Sequence, residues 1–313
     1  MQQHAIDKAA SLVEAHRYIR SFRNKDVVVK VGGSIMDDPE GLRRLLDDIA
    51  FLAAVGMRAV IVHGGGKAIS QAMTDAGLEA QFVQGRRYTD DRTLSIAEHV
   101  LVNQINASMV DHLRGQDIKA MGLHSLGSCV VFAKRLFLEG DAGRRIDVGY
   151  VGEVEHVNAT LLRALIDAGQ IPVIAPICRD AAGGKLNVNA DSVAGHVAAA
   201  LSAEKLVLVS DTHGIRRSHD VDDLASSLTK AEINRLIDEG VISSGMLPKV
   251  EAAVTALAAN VRKVHIIDGR IPHSLLLEIY TDTGIGTQIV LDDAGAGLAC
   301  PEPAAAAAAT SHL

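Results

Sequence analysis

The chain has no tryptophan, and its few other rings hold aromatics to 3% of 313 residues. Such scarcity argues against functions that stack bases or sugars on aromatic faces. Cysteine is equally sparse. Cys129, Cys178 and Cys300 are odd in number, far apart and free of any CxxC spacing, so neither a disulfide frame nor a zinc cluster is indicated, and no metal-ligating set is assigned. No apolar run approaches the roughly 20 residues of a membrane span. Residues 1–20 carry Asp7, Glu14 and Arg17 inside an amphipathic pattern, which is neither a signal peptide nor an anchor. Excess positive charge is also missing: the formal net charge is −7, against the basic stripe that nucleic-acid binding needs. These absences predict a soluble, cytoplasmic protein with no nucleic acid and no membrane among its partners.

What is present is aliphatic. Apolar residues make up 48% of the chain. Short runs at 27–29, 59–62, 171–174, 206–209 and 264–267 are apolar on both faces, as in a parallel sheet covered by helices. Helical spacing fills the intervals at 39–55, 67–76, 90–113, 159–168, 190–202, 229–239 and 247–259. Asp38-Pro39 supplies an N-cap with proline at the first helical position, and Thr229 with Glu232 makes a capping box. The alternation predicts an α/β fold with a mainly parallel sheet. Residues 125–155 break the rhythm; 129–133 and 148–154 read as an antiparallel excursion at the border between two lobes. The stretch 292–313, with six alanines beside Pro301 and Pro303, reads as a disordered tail.

Five short clusters carry candidate chemistry. Lys30-Val31-Gly32-Gly33-Ser34 follows the first strand, where a lysine beside two glycines can face a phosphate; a tight turn with an ordinary lysine fits as well. His63-Gly64-Gly65-Gly66-Lys67 follows the second strand and opens a helix, a place suited to an anion, though a structural triple-glycine turn is the alternative. Ile69 rules out the dinucleotide fingerprint, and Ile61 with Ala68 rules out a P-loop; His63 is read as structural. Asn187-Val188-Asn189-Ala190-Asp191 either caps a helix or orients a substrate and holds nearby lysines. In Ser244-Gly245-Met246-Leu247-Pro248-Lys249, proline puts Lys249 in a first helical turn. There it opposes the helix dipole by about 0.3–1 kcal/mol, unless a phosphate lies between. Asp211 to Arg216 follow another buried strand, at the end where such sheets bind ligands.

In order, these clusters resemble the amino acid kinase superfamily and, within it, the acetylglutamate kinases of the arginine-sensitive type. The likeness runs from about residue 16 to 290. It rests on VVVKVGGS, VIVHGGGKAI, GRRYTD, VGYVGEVEHVN, IPVIAPI, KLNVNAD, LVLVSDTHGI, ISSGMLPKV and DGRIPHSLLLEIYTDTGIGT. The tract around Tyr150 and the NVNAD run separate it from aspartate, uridylate and carbamate kinases.

The resemblance implies a three-layer αβα sandwich of the carbamate kinase-like fold. It places an N-terminal helix and oligomerisation arm at 1–24 and the kinase domain at 25–291, with about 25–178 binding the acceptor and about 179–291 binding ATP. The implied reaction phosphorylates the γ-carboxylate of N-acetyl-L-glutamate with Mg·ATP, in arginine biosynthesis. Carried over by position, Lys30 and Lys249 neutralise the moving phosphoryl group, Asp191 fixes both lysines, and Gly33 and Gly66 offer N–H groups. Gly65, Gly66, Arg87 and Asn187 hold the substrate. Asp211, Thr212, His213, Gly214, Ile215, Arg216, Val241, Ile242 and Ser243 contact ATP. Tyr18, Lys205, Glu278 and Gly284 are implied contacts for inhibitory arginine, with Ile6, Ala9, Val13, Ile19 and Phe22 on a helix that pairs dimers into a hexamer. The alternative is a helix packed on its own domain. Lys67, Arg86 and the Thr212-His213 pair depart from the family's usual residues. Two other functions stay open: an acetylaminoadipate kinase of lysine synthesis, one methylene away, and a non-catalytic arginine sensor.

Overall fold

Val27, Val28 and Val29 are fully buried, as a strand covered on both faces requires. The structure is a computed structural model that describes residues 2–125, 127–140, 143–220, 223–242, 245–281 and 284–291. The tail expected at 292–313, together with Cys300, Ser243 and Ser244, lies outside the described residues.

The chain opens with helix α1 (Gln2–Phe22), strand β1 (Asp26–Val31) and a short 3₁₀ turn, then α2 (Pro39–Ala54), β2 (Arg58–His63) and α3 (Gly66–Asp75). Asp38 caps α2 by accepting from Glu40 N at 3.1 Å, with Pro39 at the first position. A two-residue hairpin follows, β3 (Phe82–Val83) and β4 (Arg86–Arg87). Then α4 (Asp91–Glu98) continues through a π-helical stretch, His99–Asn106, into α5 (Ala107–Arg114) and β5 (Ala120–Leu123). The single helix expected over 90–113 is thus interrupted by wider turns.

Next come β6 (Val131–Glu139), β7 (Arg145–Val157), α6 (Ala159–Asp167), β8 (Ile171–Ile174), β9 (Ile177–Arg179) and β10 (Lys185–Val188). After α7 (Ala190–Leu201) and β11 (Lys205–Ser210), the chain forms β12 (Ser227–Thr229), α8 (Lys230–Asp238) and α9 (Leu247–Ala258). It finishes with β13 (Lys263–Asp268), α10 (Ser274–Tyr280) and β14 (Thr287–Val290). The capping box expected at α8 is present, between Thr229 and Glu232.

The central sheet has eight strands in the order β12-β14-β13-β11-β1-β2-β8-β5. All pairs are parallel except β13 with β14. Alternation along β1 divides the core into two layers. Val28 packs with α7 and α9 residues such as Val193 and Ala253. Val27, Val29 and Val31 pack with α2, α5 and α10 residues such as Ile49, Leu113 and Leu275. The result is the expected three-layer αβα sandwich. From β1 the chain steps one way to β2 and later returns on the other side as β11, so a crevice opens at the carboxyl end of β1.

The antiparallel excursion is β6 against β7. Its closure with β9 and β10 into a four-stranded barrel, β10-β7-β6-β9, was not expected from the sequence. Strands of three and four residues are too short to show a period. The barrel delivers the chain into α7 beside the crevice. Among the described residues, no helix is long and apolar enough to cross a membrane.

Candidate active site

Lys30 is the fifth residue of β1 and only 5% exposed, held inside by strands on both sides. A buried cation needs a partner. It finds one in Asp191, in the first turn of α7, with Nζ 3.0 Å from Oδ1. Asn189 caps that helix by accepting from Ser192 N, which fixes where the carboxylate points. Lys249 approaches the other oxygen, Nζ to Oδ2 3.8 Å, from the first turn of α9. Burial raises the Asp191 pKa, but the two lysines outweigh it and hold the carboxyl below its ordinary range. Lys249 shifts the opposite way from a simple ion pair: burial draws its pKa down, and Lys30 adds repulsion that Asp191 only partly offsets.

Two cavities meet at this trio. One, of about 340 Å³, contains Lys30, Gly33, Gly65, Gly66, Asn187 and Asp191 in its wall, with Arg87 at its side. The other, of about 300 Å³, is lined by Asp211, Thr212, Gly214, Ile215, Arg216, Val241, Ile242 and Lys249. Gly33 stands between them. Its φ is +73°, and a side chain there would press on the Asp211 backbone nitrogen at 3.0 Å, so glycine alone permits this turn.

In the first cavity the Arg87 guanidinium donates to Gly66 O and Ser70 Oγ, both at 2.8 Å, and lies 4.8 Å above the Phe82 ring. Burial lowers its pKa. Asn187 donates weakly to Thr89 Oγ1 at 3.4 Å, leaving its amide largely available. The gathering of these residues supplies cations, a planar fork and helix-start N–H groups around one space, which suits an anionic ligand.

Not every expected residue faces a cavity. His213 turns away from the second one and pairs through Nδ1 with Asp268 Oδ2 at 3.0 Å, while Arg270 grips the same carboxylate in a fork. Ser243 lies outside the described residues. The unusual Lys67 bridges to Asp37 at 2.9 Å across the mouth of the first cavity, and Arg86 reaches Glu251 at 3.8 Å. Sequence reasoning missed Asp37 and Thr89, because each acts through a partner distant in the chain, and Phe82, which meets Arg87 only across a two-residue hairpin too short to show in the pattern. Among the described residues no three His, Cys, Asp or Glu side chains converge as a metal cage. A magnesium ion needs no such cage, since it keeps waters and binds mostly through phosphates. Asp211 is the carboxylate in the wall of the second cavity available to it.

A second polar cluster lies apart from both cavities. Lys205 Nζ sits 3.4 Å from His265 Nε2, and His265 Nδ1 is 2.5 Å from Glu278 Oε1. Glu278 Oε2 accepts from Ile285 N and Gly286 N, with Gly284 packed against the same carboxylate. Burial pushes the Lys205 pKa down to about 8, and Lys263 adds to that. Phe22 of α1 covers the amine at 4.9 Å, and Tyr18 is one turn earlier on the same helical face. Tyr18, Ile19 and Phe22 pack on the core, whereas Ile6 and Val13 are 53% and 75% exposed. Among the described side chains, the helix packs on the core through its carboxyl-terminal end.

Three comparisons bear on this arrangement. The model of the amino acid kinase family matches residues 25–268. An acetylglutamate kinase of Symbiobacterium thermophilum is 46% identical over 292 residues, covering 93% of this chain and all of the relative. Among solved structures, the N-acetylglutamate synthase of Neisseria gonorrhoeae, complexed with coenzyme A and N-acetyl-glutamate, superposes with a TM-score of 0.80 at 28% identity. That match covers 90% of this chain and 63% of the longer synthase chain. A carbamate kinase of Giardia lamblia bound to citric acid, at 15% identity and a TM-score of 0.59, shares the fold; the match covers 86% of this chain and 99% of that one.

Proposed function

The chain belongs to the amino acid kinase family, and from that membership we propose that it is an acetylglutamate kinase, transferring the γ-phosphoryl group of ATP to the γ-carboxylate of N-acetyl-L-glutamate. The observation that carries the reading is one carboxylate, Asp191, holding a lysine from each of two adjoining cavities. The acceptor occupies the cavity with Lys30 and Arg87, in the part of the chain up to about residue 178 with Asn187 added from beyond it. ATP occupies the cavity lined from Asp211 to Lys249, carrying Mg²⁺ on its phosphates.

The acceptor carboxylate, with an ordinary pKa of about 4.3, is already an anion at neutral pH and needs no general base. Its oxygen forms the new bond to the γ-phosphorus while the bond to the β–γ bridging oxygen breaks, and ADP leaves with that electron pair. Negative charge spread over the equatorial oxygens is met by Lys30 and Lys249 and by the N–H groups of Gly33 and Gly66. Magnesium bound with the nucleotide would neutralise charge on its phosphates, with Asp211 the carboxylate beside it. Catalysis is positioning and electrostatics, consistent with a site built from lysines and glycines.

Arg87 forks onto the acceptor α-carboxylate. Arg87→Lys keeps the charge but loses the fork and the Phe82 contact, and we expect the acceptor KM to rise about 10- to 100-fold with the ATP KM little changed. Steady-state kinetics with each substrate varied in turn will read this; equal rises in both KM values would refute the assignment.

The Lys205–His265–Glu278 cluster, close to α1, supports feedback inhibition by L-arginine, whose guanidinium Glu278 can pair. The exposed Ile6 and Val13 support pairing of α1 with a second copy, in a dimer or hexamer working in the cytoplasm. The test of the function is ADP release with Mg·ATP and N-acetylglutamate, N-acetylaminoadipate, aspartate or no acceptor, each with and without arginine. Turnover only with N-acetylglutamate, falling as arginine is added, is the expected result. Turnover only with N-acetylaminoadipate would move the acceptor assignment, and none with any acceptor would overturn the reading. Activity flat across an arginine titration would remove the inhibitory site.

A further inference from the structure

We infer that His63 and Asn106, a buried pair outside both cavities, are positioning residues that hold the Gly64-Gly65-Gly66 loop in the shape that turns its N–H groups toward the phosphoryl group. The inference rests on the phosphate-facing role proposed for that loop.

The geometry fixes which atom carries the proton. His63 is fully buried and Asn106 is 2% exposed. His63 Nδ1 lies 3.0 Å from Gly64 O, which can only accept, so Nδ1 is the protonated nitrogen. Asn106 Nδ2 lies 2.9 Å from Val173 O, another pure acceptor, and this sets the amide orientation. Its second N–H then points at His63 Nε2, 3.1 Å away. Nε2 must accept, and a charged imidazole would face one N–H with another. Burial acts in the same direction, drawing the ring's pKa down to about 4. The histidine is a neutral, oriented donor.

What it donates to is the first peptide of the loop. Gly64 N already donates to Val31 O at 2.8 Å, across the gap to β1. With its carbonyl held by His63, Gly64 has both polar groups engaged, so neither of the two peptide planes that flank it rotates freely. The next N–H groups open α3, where a helix has no internal acceptors for them, and they are left to face the cavity. A rotation of the Gly64–Gly65 peptide would swing the loop's N–H groups off target.

The support behind the pair is equally specific. Asn106 closes the π-helical stretch, a geometry often found at functional sites. Leu101 and Ile105 of the same stretch lie directly against Gly65. On β5, a side chain at Gly122 would collide with Asn106 Oδ1, so the amide sits in a space kept open for it.

Two measurements test the pair. First, ¹⁵N NMR of the full-length histidine-labelled protein, with His63 assigned by its loss in His63→Asn, should show a neutral ring protonated at Nδ1 from pH 5.5 to 8. A charged ring, or one protonated at Nε2, would overturn the inference. Second, His63→Leu should lower kcat about 10- to 100-fold, as loss of an orienting partner does, with the ATP KM changed less than about twofold. His63→Asn should recover most of the rate, because its amide can donate where Nδ1 did. A folded His63→Leu with wild-type kcat would refute the role. If that variant does not fold, Gly122→Ala displaces Asn106 and should show the same drop, and its wild-type kcat would refute it equally. Wild-type protein inactive with every acceptor would defeat the proposed function instead, and the nitrogen spectra would still judge the pair.

Discussion

Lys249→Ala should lower kcat by about 10²-fold or more, the scale seen when a donor to transition-state charge is removed. The loss should fall on kcat rather than on the acceptor KM, since Lys249 lies in the wall of the other cavity. Stability should hardly suffer. A lysine whose pKa is depressed by burial costs the folded state free energy at every pH below its folded pKa, and the cost fades as pH rises through that value. Removing it at neutral pH relieves that cost, and Asp191 keeps Lys30 at 3.0 Å. Thermal unfolding beside steady-state kinetics separates the two effects. Unchanged turnover in a folded variant would remove the mechanism.

Asp191→Asn should damage folding and activity together. It leaves a buried ammonium group, Lys30, and a half-buried one, Lys249, without their shared anion, and breaking a buried pair in this way costs roughly 3–5 kcal/mol. In a domain of this size the melting temperature should fall on the order of 10 °C. Lys249 loses the carboxylate that favours its protonated form, so the alkaline limb of kcat should move to lower pH. The sign of the stability effect follows from the direction of the Asp191 shift. A carboxyl held below its ordinary value stabilises fully above the unfolded pKa near 4, and that contribution disappears as pH falls through the folded value. The wild-type advantage should therefore persist at pH 7 and shrink in acid. An Asp191→Asn variant as stable as the wild type at pH 7 would mean the trio is solvated rather than buried.

The parts of the fold legible in the sequence were those with a long or repeated signal. Five strands apolar on both faces and seven amphipathic helices announced a covered parallel sheet, because such burial leaves no polar alternation. The four-stranded barrel escaped, since β9 and β10 are short and their pairing is non-local. The π-helical stretch escaped because its apolar spacing differs little from that of an α-helix over eight residues. At the site, Lys30, Asp191 and Lys249 could be singled out by their place at element ends. That one carboxylate reaches both lysines, 161 and 58 positions away, came from the family resemblance and not from the spacing of the residues. The turning of His213 toward Asp268, which lies 55 positions away on another strand, could not be read in the sequence. Turn chemistry marks where a residue sits; it does not say what it will meet.

A single anion shared by two cations also makes the two cavities bookends of one equilibrium. On the proposed assignment, a polyphosphate that draws Lys249 away leaves Asp191 only Lys30 to serve, and the field that greets an incoming acceptor changes before the acceptor arrives. The acceptor must alter nucleotide affinity by the same factor as the nucleotide alters acceptor affinity, because the cycle closes whichever partner comes first. Product release inherits this coupling: once either product departs, the charge balance that retained the other is already different.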